Sequence, residues 1–154
     1  MKALPPVSEL IPHRFPMVFI DEVIDCSAQS LTASYTPPSD HWAGADGLPA
    51  FLGIEIIAQA IAAHNSLQAR TTEPDAAPSL GVLLGTRRYQ ANQTSFPSGR
   101  AIKVVVEEKV QDPSGFGAFD GTLLDGSGNV LAMATVKVFR PPNFRDYIES
   151  QRPS

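Results

Sequence analysis

The spacing of apolar and polar positions changes twice along the chain. Met17–Asp25 is rich in β-branched and aromatic residues and predicts a strand. Ser30–Thr36 alternates apolar and polar, as an antiparallel partner would, with Cys26–Gln29 as the turn between them. From Leu48 to about Ala69 the period becomes helical. Pro49 suits a first turn, where its missing N–H is no loss. Phe51, Leu52, Ile54, Ile56, Ile57, Ile61 and Leu67 place apolar groups on nearly every face, which predicts a helix buried all round. Beyond a loop at Thr71–Pro78 the pattern returns to strands, at Leu80–Gln90, Ile102–Val110, Phe116–Leu124 and Val130–Phe139. Turn chemistry separates them at Phe96–Gly99, Asp112–Gly115 and Asp125–Asn129, which predicts antiparallel hairpins. Single helical turns are expected at Pro6–Ile11 and Asn143–Ser150.

Two strands, one long buried helix and four more strands have an economical solution. About six antiparallel strands curve around one central helix, an α+β arrangement of the hot-dog type. Neither an internal repeat nor a linker interrupts it, so residues 1–154 read as a single domain. The 14 prolines punctuate this plan by stopping helices and central strands. Charged residues make up only 18% of the chain, against about 25% in a typical domain; that shortage points to surface buried in a partner subunit. The net charge of -4 and pI of about 5.3 offer no basic field for nucleic acid. Cys26 is the single cysteine, which excludes an intrachain disulfide or a cysteine metal cluster. Met1–Pro6 lacks the apolar run of a signal peptide. The apolar run Leu48–Ala63 is short of the roughly 20 residues of a membrane span and contains Glu55 and Gln59. A soluble, cytoplasmic protein without membrane association is expected.

The chemistry concentrates at the start of the long helix. His41 stands in the loop before it, and Glu55 lies fourteen positions later, inside it. Gln59, four residues on, shares the Glu55 face. The first turn also carries unpaired amides with partial positive charge, at Ala50 and Phe51. A histidine base, a carboxylic acid and an oxyanion hole suit removal of a proton beside a thioester carbonyl, followed by loss of a β-hydroxyl. The competing reading is a packing glutamate bonded to Gln59, with His41 a surface residue. His13 is expected to be structural, and His64 a polar tip near the helix end. Arg87 and Arg88 should face opposite sides of their strand, where either could meet a phosphate; Arg14 and Arg100 are weaker candidates.

The run His41-Trp-Ala-Gly-Ala-Asp-Gly-Leu-Pro49-Ala-Phe-Leu-Gly-Ile-Glu55-Ile-Ile-Ala58-Gln59 resembles the active-site segment of bacterial 3-hydroxyacyl-[acyl-carrier-protein] dehydratases. In that family a histidine precedes an acidic residue by the same ungapped interval, a proline precedes the helix, and Ala-Gln follows the acid. Leu10-Ile-Pro-His-Arg-Phe-Pro16 with Val18-Phe-Ile-Asp21, and Arg88-Tyr89 with Phe96-Pro-Ser-Gly99, resemble further segments. Leu83–Tyr89 and Gly53–Ala63 look closest to the dehydratase-like proteins of aryl polyene pigment pathways. Asp40, Trp42-Ala43 and Ala50 depart from the family's usual residues, Ala50 standing where glycine is usual.

The resemblance implies dehydration of 3-hydroxyacyl thioesters to trans-2-enoyl thioesters, in fatty-acid or polyene-type biosynthesis. His41 would take the C2 proton and Glu55 would protonate or position the leaving hydroxyl. The Ala50 and Phe51 amides would hold the thioester oxygen, and Gln59 would orient Glu55. No cofactor is implied beyond the phosphopantetheine of acyl carrier protein, which carries the substrate. The active unit would be a homodimer or a heterodimer with another hot-dog subunit, or a higher assembly. A hot-dog acyl thioesterase and a non-catalytic subunit of a heteromeric dehydratase are the rival readings.

Overall fold

The computed structural model describes residues 3–78, 81–141 and 144–153. A single helical turn, α1 (Val7–Leu10), opens the chain. The hairpin of β1 (Glu22–Cys26) and β2 (Ser30–Tyr35) follows. Its turn is closed by the Ser27 N–H donating to the Ser30 carbonyl at 2.8 Å, with the Ser27 hydroxyl accepting from the Gln29 and Ser30 amides. Two residues, Leu48–Pro49, form β3. A 3₁₀ turn at Ala50–Leu52 then runs directly into α2 (Gly53–Ala69). The remaining strands are β4 (Val82–Ala91), β5 (Ser95–Phe96), β6 (Ile102–Gln111), β7 (Phe116–Leu124) and β8 (Val130–Phe139), before α3 (Phe144–Ser150).

Six strands make one antiparallel sheet in the order β1-β2-β6-β7-β8-β4, and β3 pairs with β5 in a small second ladder. The alternation read in the sequence is realised on the concave face. Leu31, Ala33 and Tyr35 of β2, Val104 and Val106 of β6, Phe119 and Leu123 of β7, and Ala132 and Val136 of β8 are all buried. They close over Ile56, Ile57, Ala60 and Ile61 of α2. Full burial of each such isoleucine is worth about 1.5–3 kcal/mol, so the helix–sheet contact is where the fold gains most. The approach is close: a Cβ on Gly121 of β7 would fall 2.4 Å from the Ile57 side chain. Glycine there lets the sheet curve onto the helix.

Four expectations are corrected. Met17–Asp21 is extended but lies outside β1; its amides and carbonyls are drawn to α2 and to β2 instead of forming a regular ladder. The Phe96–Gly99 turn does not fold β4 back onto β6. β4 lies at the far edge against β8, and β6 pairs with β2. The intervening segment is spent elsewhere: β5 joins β3, Phe96 is fully buried, the Gly99 N–H donates to the Pro37 carbonyl, and Ser98 Oγ donates to that of Pro38. The regular alternation expected at Arg87 and Arg88 is interrupted, because the register slips between Arg87 and Gln90 and Arg88 adopts φ 54°. Both are exposed. The helix is not buried all round either, since Phe51 at its start is 69% exposed.

Candidate active site

Gln59 organises the site. It is fully buried, yet it has a hydrogen bond for its oxygen and two for its nitrogen. Its Oε1 accepts from the Phe19 N–H at 2.6 Å, and its Nε2 donates to the Met17 carbonyl at 2.7 Å and to Glu55 Oε1 at 3.1 Å. A buried amide satisfied in this way is rigid, because each broken contact would leave a polar atom unpaired. Gln59 therefore fixes the extended segment Met17–Phe19 against α2 and holds the Glu55 carboxylate one helical turn away.

The second group on Glu55 is His13, whose Nε2 lies 3.4 Å from Glu55 Oε1. The two side chains are about equally part-buried, at 31% and 32% exposure. His13 was expected to be structural; it instead faces the acid. It is delivered there by α1, which docks on the far half of α2. Ser66 Oγ donates to the Leu10 carbonyl at 2.6 Å, and Arg70 bonds both the Glu9 carbonyl, at 3.0 Å, and the Glu9 carboxylate, at 3.3 Å. Those contacts span more than fifty residues of sequence, so no local pattern announces His13.

His41 lies across the same N-terminal segment. Its ring meets Phe15 edge to face, with centroids 4.9 Å apart, and the neighbouring Trp42 Nε1 donates to the Pro16 carbonyl at 2.9 Å. The carboxylate nearest to it is Asp40, at 4.0 Å. Within one chain Glu55 thus has His13 as its imidazole neighbour, while His41 stands about half exposed on its loop. His41 and Trp42 both adopt left-handed backbone angles, φ 40° and 50°. Consecutive non-glycine residues in that region carry strain of a kind that collects at functional sites.

The helix start differs from expectation at one of its two amides. The Ala50 N–H donates to the Thr94 carbonyl at 2.9 Å, because the β3–β5 ladder continues by one more rung. It is therefore not available to an oxyanion. Phe51, next along, is exposed. The Ala50 carbonyl accepts from the Tyr89 hydroxyl. Burial pushes the Tyr89 phenol up to about 12. A Cβ on Gly53 would crowd that hydroxyl, so glycine leaves room for Tyr89 where β4 crosses the helix start.

Two of the remaining candidates also move. His64 is not a polar tip: it is fully buried, its ring edge-on to Phe119 and its Nε2 3.2 Å from the Ser27 carbonyl. Arg14 is used at home, donating to the carbonyls of Ile11, His13 and Ser8. Among the described residues no group of three His, Cys, Asp or Glu side chains is placed to hold a metal ion.

Beside Glu55 and His13 opens a cavity of about 270 Å³ between α2 and the strands β4 and β8, walled mainly by apolar side chains such as Ile61, Val82, Leu83 and Val138. A carboxyl with an imidazole neighbour at one end of an apolar pocket can exchange a proton with a substrate whose apolar tail fills the rest.

Comparison with known proteins bears on the fold and the family. A chain of the dehydratase heterocomplex ApeI:P from Xenorhabdus doucetiae is 29% identical, with a TM-score of 0.87, over 98% of this chain and 100% of that one. The PaaI protein of the E. coli phenylacetic acid degradation operon shares the fold at a TM-score of 0.59, with 12% identity over 77% of this chain and 78% of its own. A Staphylococcus aureus thioesterase does so at 0.61, with 12% identity over 79% and 93%. No curated protein sequence matches. The ApeP dehydratase model matches residues 5–149, nearly the whole chain, and the protein belongs to the ApeP-like dehydratase family.

Proposed function

We propose that this hot-dog protein removes water from 3-hydroxyacyl thioesters borne on acyl carrier protein, giving trans-2-enoyl thioesters in fatty-acid or aryl-polyene-type synthesis. The observation that carries the reading is the Glu55 carboxyl, held by Gln59 and His13 at the end of an apolar cavity. The imidazole of His41 takes the C2 proton. The electron pair left behind forms the C2–C3 double bond as the C3–O bond breaks. The Glu55 carboxyl protonates the departing oxygen, which leaves as water, and the proton on His41 returns to Glu55 to close the cycle. The Phe51 amide at the positive end of the helix supports the charge that builds on the thioester oxygen.

His41 and Glu55 are set fourteen residues apart but are not paired within one chain, which is the arrangement expected when each site combines groups from two subunits. The edge strand β4, ten residues long with Leu83 and Leu84 exposed, is the surface through which a second hot-dog subunit would join, as a copy of this chain or a related one. Arg87 and Arg88 sit next to Tyr89 and so lie near the helix start, where they would receive the phosphopantetheine phosphate of the carrier protein.

A second reading, a subunit that supports catalysis in a partner, is favoured by the heterocomplex to which the chain is similar. Offering 3-hydroxyacyl and saturated acyl thioesters to the assembled protein separates the possibilities. The dehydratase reading expects the absorbance of a new enoyl thioester, lost in Glu55→Gln. Release of free thiol would indicate a thioesterase. Activity unchanged by both His41→Ala and Glu55→Gln would indicate a supporting subunit.

A further inference from the structure

The cavity beside Glu55 extends along the helix. Glu55, Ala58, Ile61, Ala62 and Asn65 of α2 all line it. At 100° per residue these positions fall within about 120° of one another, and Asn65 lies about 15 Å along the axis from Glu55. Three consecutive polar residues are buried at this end of α2, and two of them have partners: His64 meets the Ser27 carbonyl and Ser66 donates to the Leu10 carbonyl. Asn65, between them, is 8% exposed, and its side-chain amide makes no hydrogen bond among the described residues. Of the other polar side chains in the wall, His13 faces Glu55 and Arg140 is already engaged. The Asn65 amide is not enclosed in the core but reaches the cavity, in a stretch of wall where a leucine would fill the same space. It stands at the opposite end of an apolar wall from the proton-transfer group.

We propose that Asn65 is a specificity-determining residue that selects acyl chains carrying a hydrogen-bonding oxygen, hydroxyl or carbonyl, near their distal end. The idea rests on the dehydratase reading for what occupies the cavity. Its physical basis is separate: an amide that can both donate and accept, facing a mainly apolar cavity about 15 Å along the helix from Glu55. A methyl-ended chain leaves that amide unpaired, whereas an oxygen-ended chain satisfies it, and sites built this way discriminate more sharply than apolar pockets do.

The test uses pairs of unreactive 3-hydroxyacyl pantetheine thioether analogues of matched length, one ending in methyl and one in hydroxyl, across a series of chain lengths. Binding to the full chain, in the assembly in which it purifies, is followed by calorimetry. At the length that reaches Asn65, the hydroxyl-ended analogue should bind about tenfold more tightly. Asn65→Leu should erase that ratio without weakening the methyl-ended analogue. Its melting temperature without ligand should equal or exceed that of the unaltered protein, since no hydrogen bond to the protein is lost and an apolar side chain joins an apolar wall; a structural asparagine would show a clear fall. Equal or weaker binding of every hydroxyl-ended analogue, binding of neither member of any pair, or a ratio unchanged in Asn65→Leu would overturn the proposal. Because the analogues do not react, the result is distinct from that of the dehydration assay. Discrimination without enoyl formation would leave the pocket standing and remove the reaction.

Discussion

His41 is held with φ 40° and Trp42 with φ 50°, angles that a side chain resists by roughly 1–2 kcal/mol per residue. A loop keeps such a conformation when the direction of its side chains matters more than its own stability. Replacing His41 by glycine relieves that strain but adds backbone entropy to the unfolded chain, at about 0.5–1 kcal/mol, and removes the contact with Phe15. Urea unfolding should therefore register a change within about 0.5 kcal/mol, while dehydration falls by two orders of magnitude or more, as expected when a general base is lost. A large fall in stability would show that the imidazole is structural. His13 makes a complementary case. It holds Glu55 from the side opposite Gln59, so His13→Gln should lower kcat by about tenfold with little change in KM, the mark of a displaced group and not of lost substrate binding. Tyr89 works through its hydroxyl, which ties β4 to the Ala50 carbonyl. Tyr89→Phe should cost about 1 kcal/mol at neutral pH. The folded phenol is raised to about 12, so the unfolded chain ionises first. Stability from this burial is complete below pH 10 and drains away as pH climbs from about 10 to about 12. Tyr35, also raised to about 12, adds to the same loss. Melting curves across that range should show the decline, and a shallower one in Tyr89→Phe.

Among the elements, the sheet and the helix meet most closely at Gly121 and Ile57. Gly121→Ala overfills that contact and should destabilise the fold by about 1–3 kcal/mol. Ile57→Ala opens a void there and should cost about 2–5 kcal/mol alone. Combined, the new methyl occupies the void, so the double variant should be clearly more stable than the sum of the two losses predicts. The same contrast between near and distant effects explains what could be read from the chain. The bounds of β7 and β8 follow from strand-like runs and the aspartate–glycine turns on either side of β7, and the structure reproduces them. Those signals are local. The place of β4 is not legible, because its partner residues on β8 lie 41 to 57 positions on, and the connection that reads as a hairpin is anchored to β3 and to Pro37–Pro38. Gln59 facing Glu55 was legible from i,i+4 spacing. The loss of the Ala50 amide to Thr94 and the arrival of His13 at the acid were not, since both depend on contacts made only after the chain has closed on itself.

At the scale of the whole molecule, a chain with 18% charged residues leaves Leu83 and Leu84 exposed on a ten-residue edge strand, and Phe51 exposed beside the site. An open edge of that length invites strand pairing with another sheet. Light scattering should therefore find the chain in an assembly of two or more subunits, alone or with a related hot-dog partner; a 16.5 kDa species that is fully active by itself would show that a single chain suffices. The central claim is that the carboxyl of Glu55 completes an elimination, and the most direct measurement is enoyl thioester formation from a 3-hydroxyacyl-carrier-protein substrate by the assembled protein and its Glu55→Gln variant. The account predicts steady formation of the double bond by the unaltered protein, reduced by about 10²–10⁴-fold in the variant with its fold intact. Equal rates in the two proteins, or thiol release in place of a double bond, would contradict it.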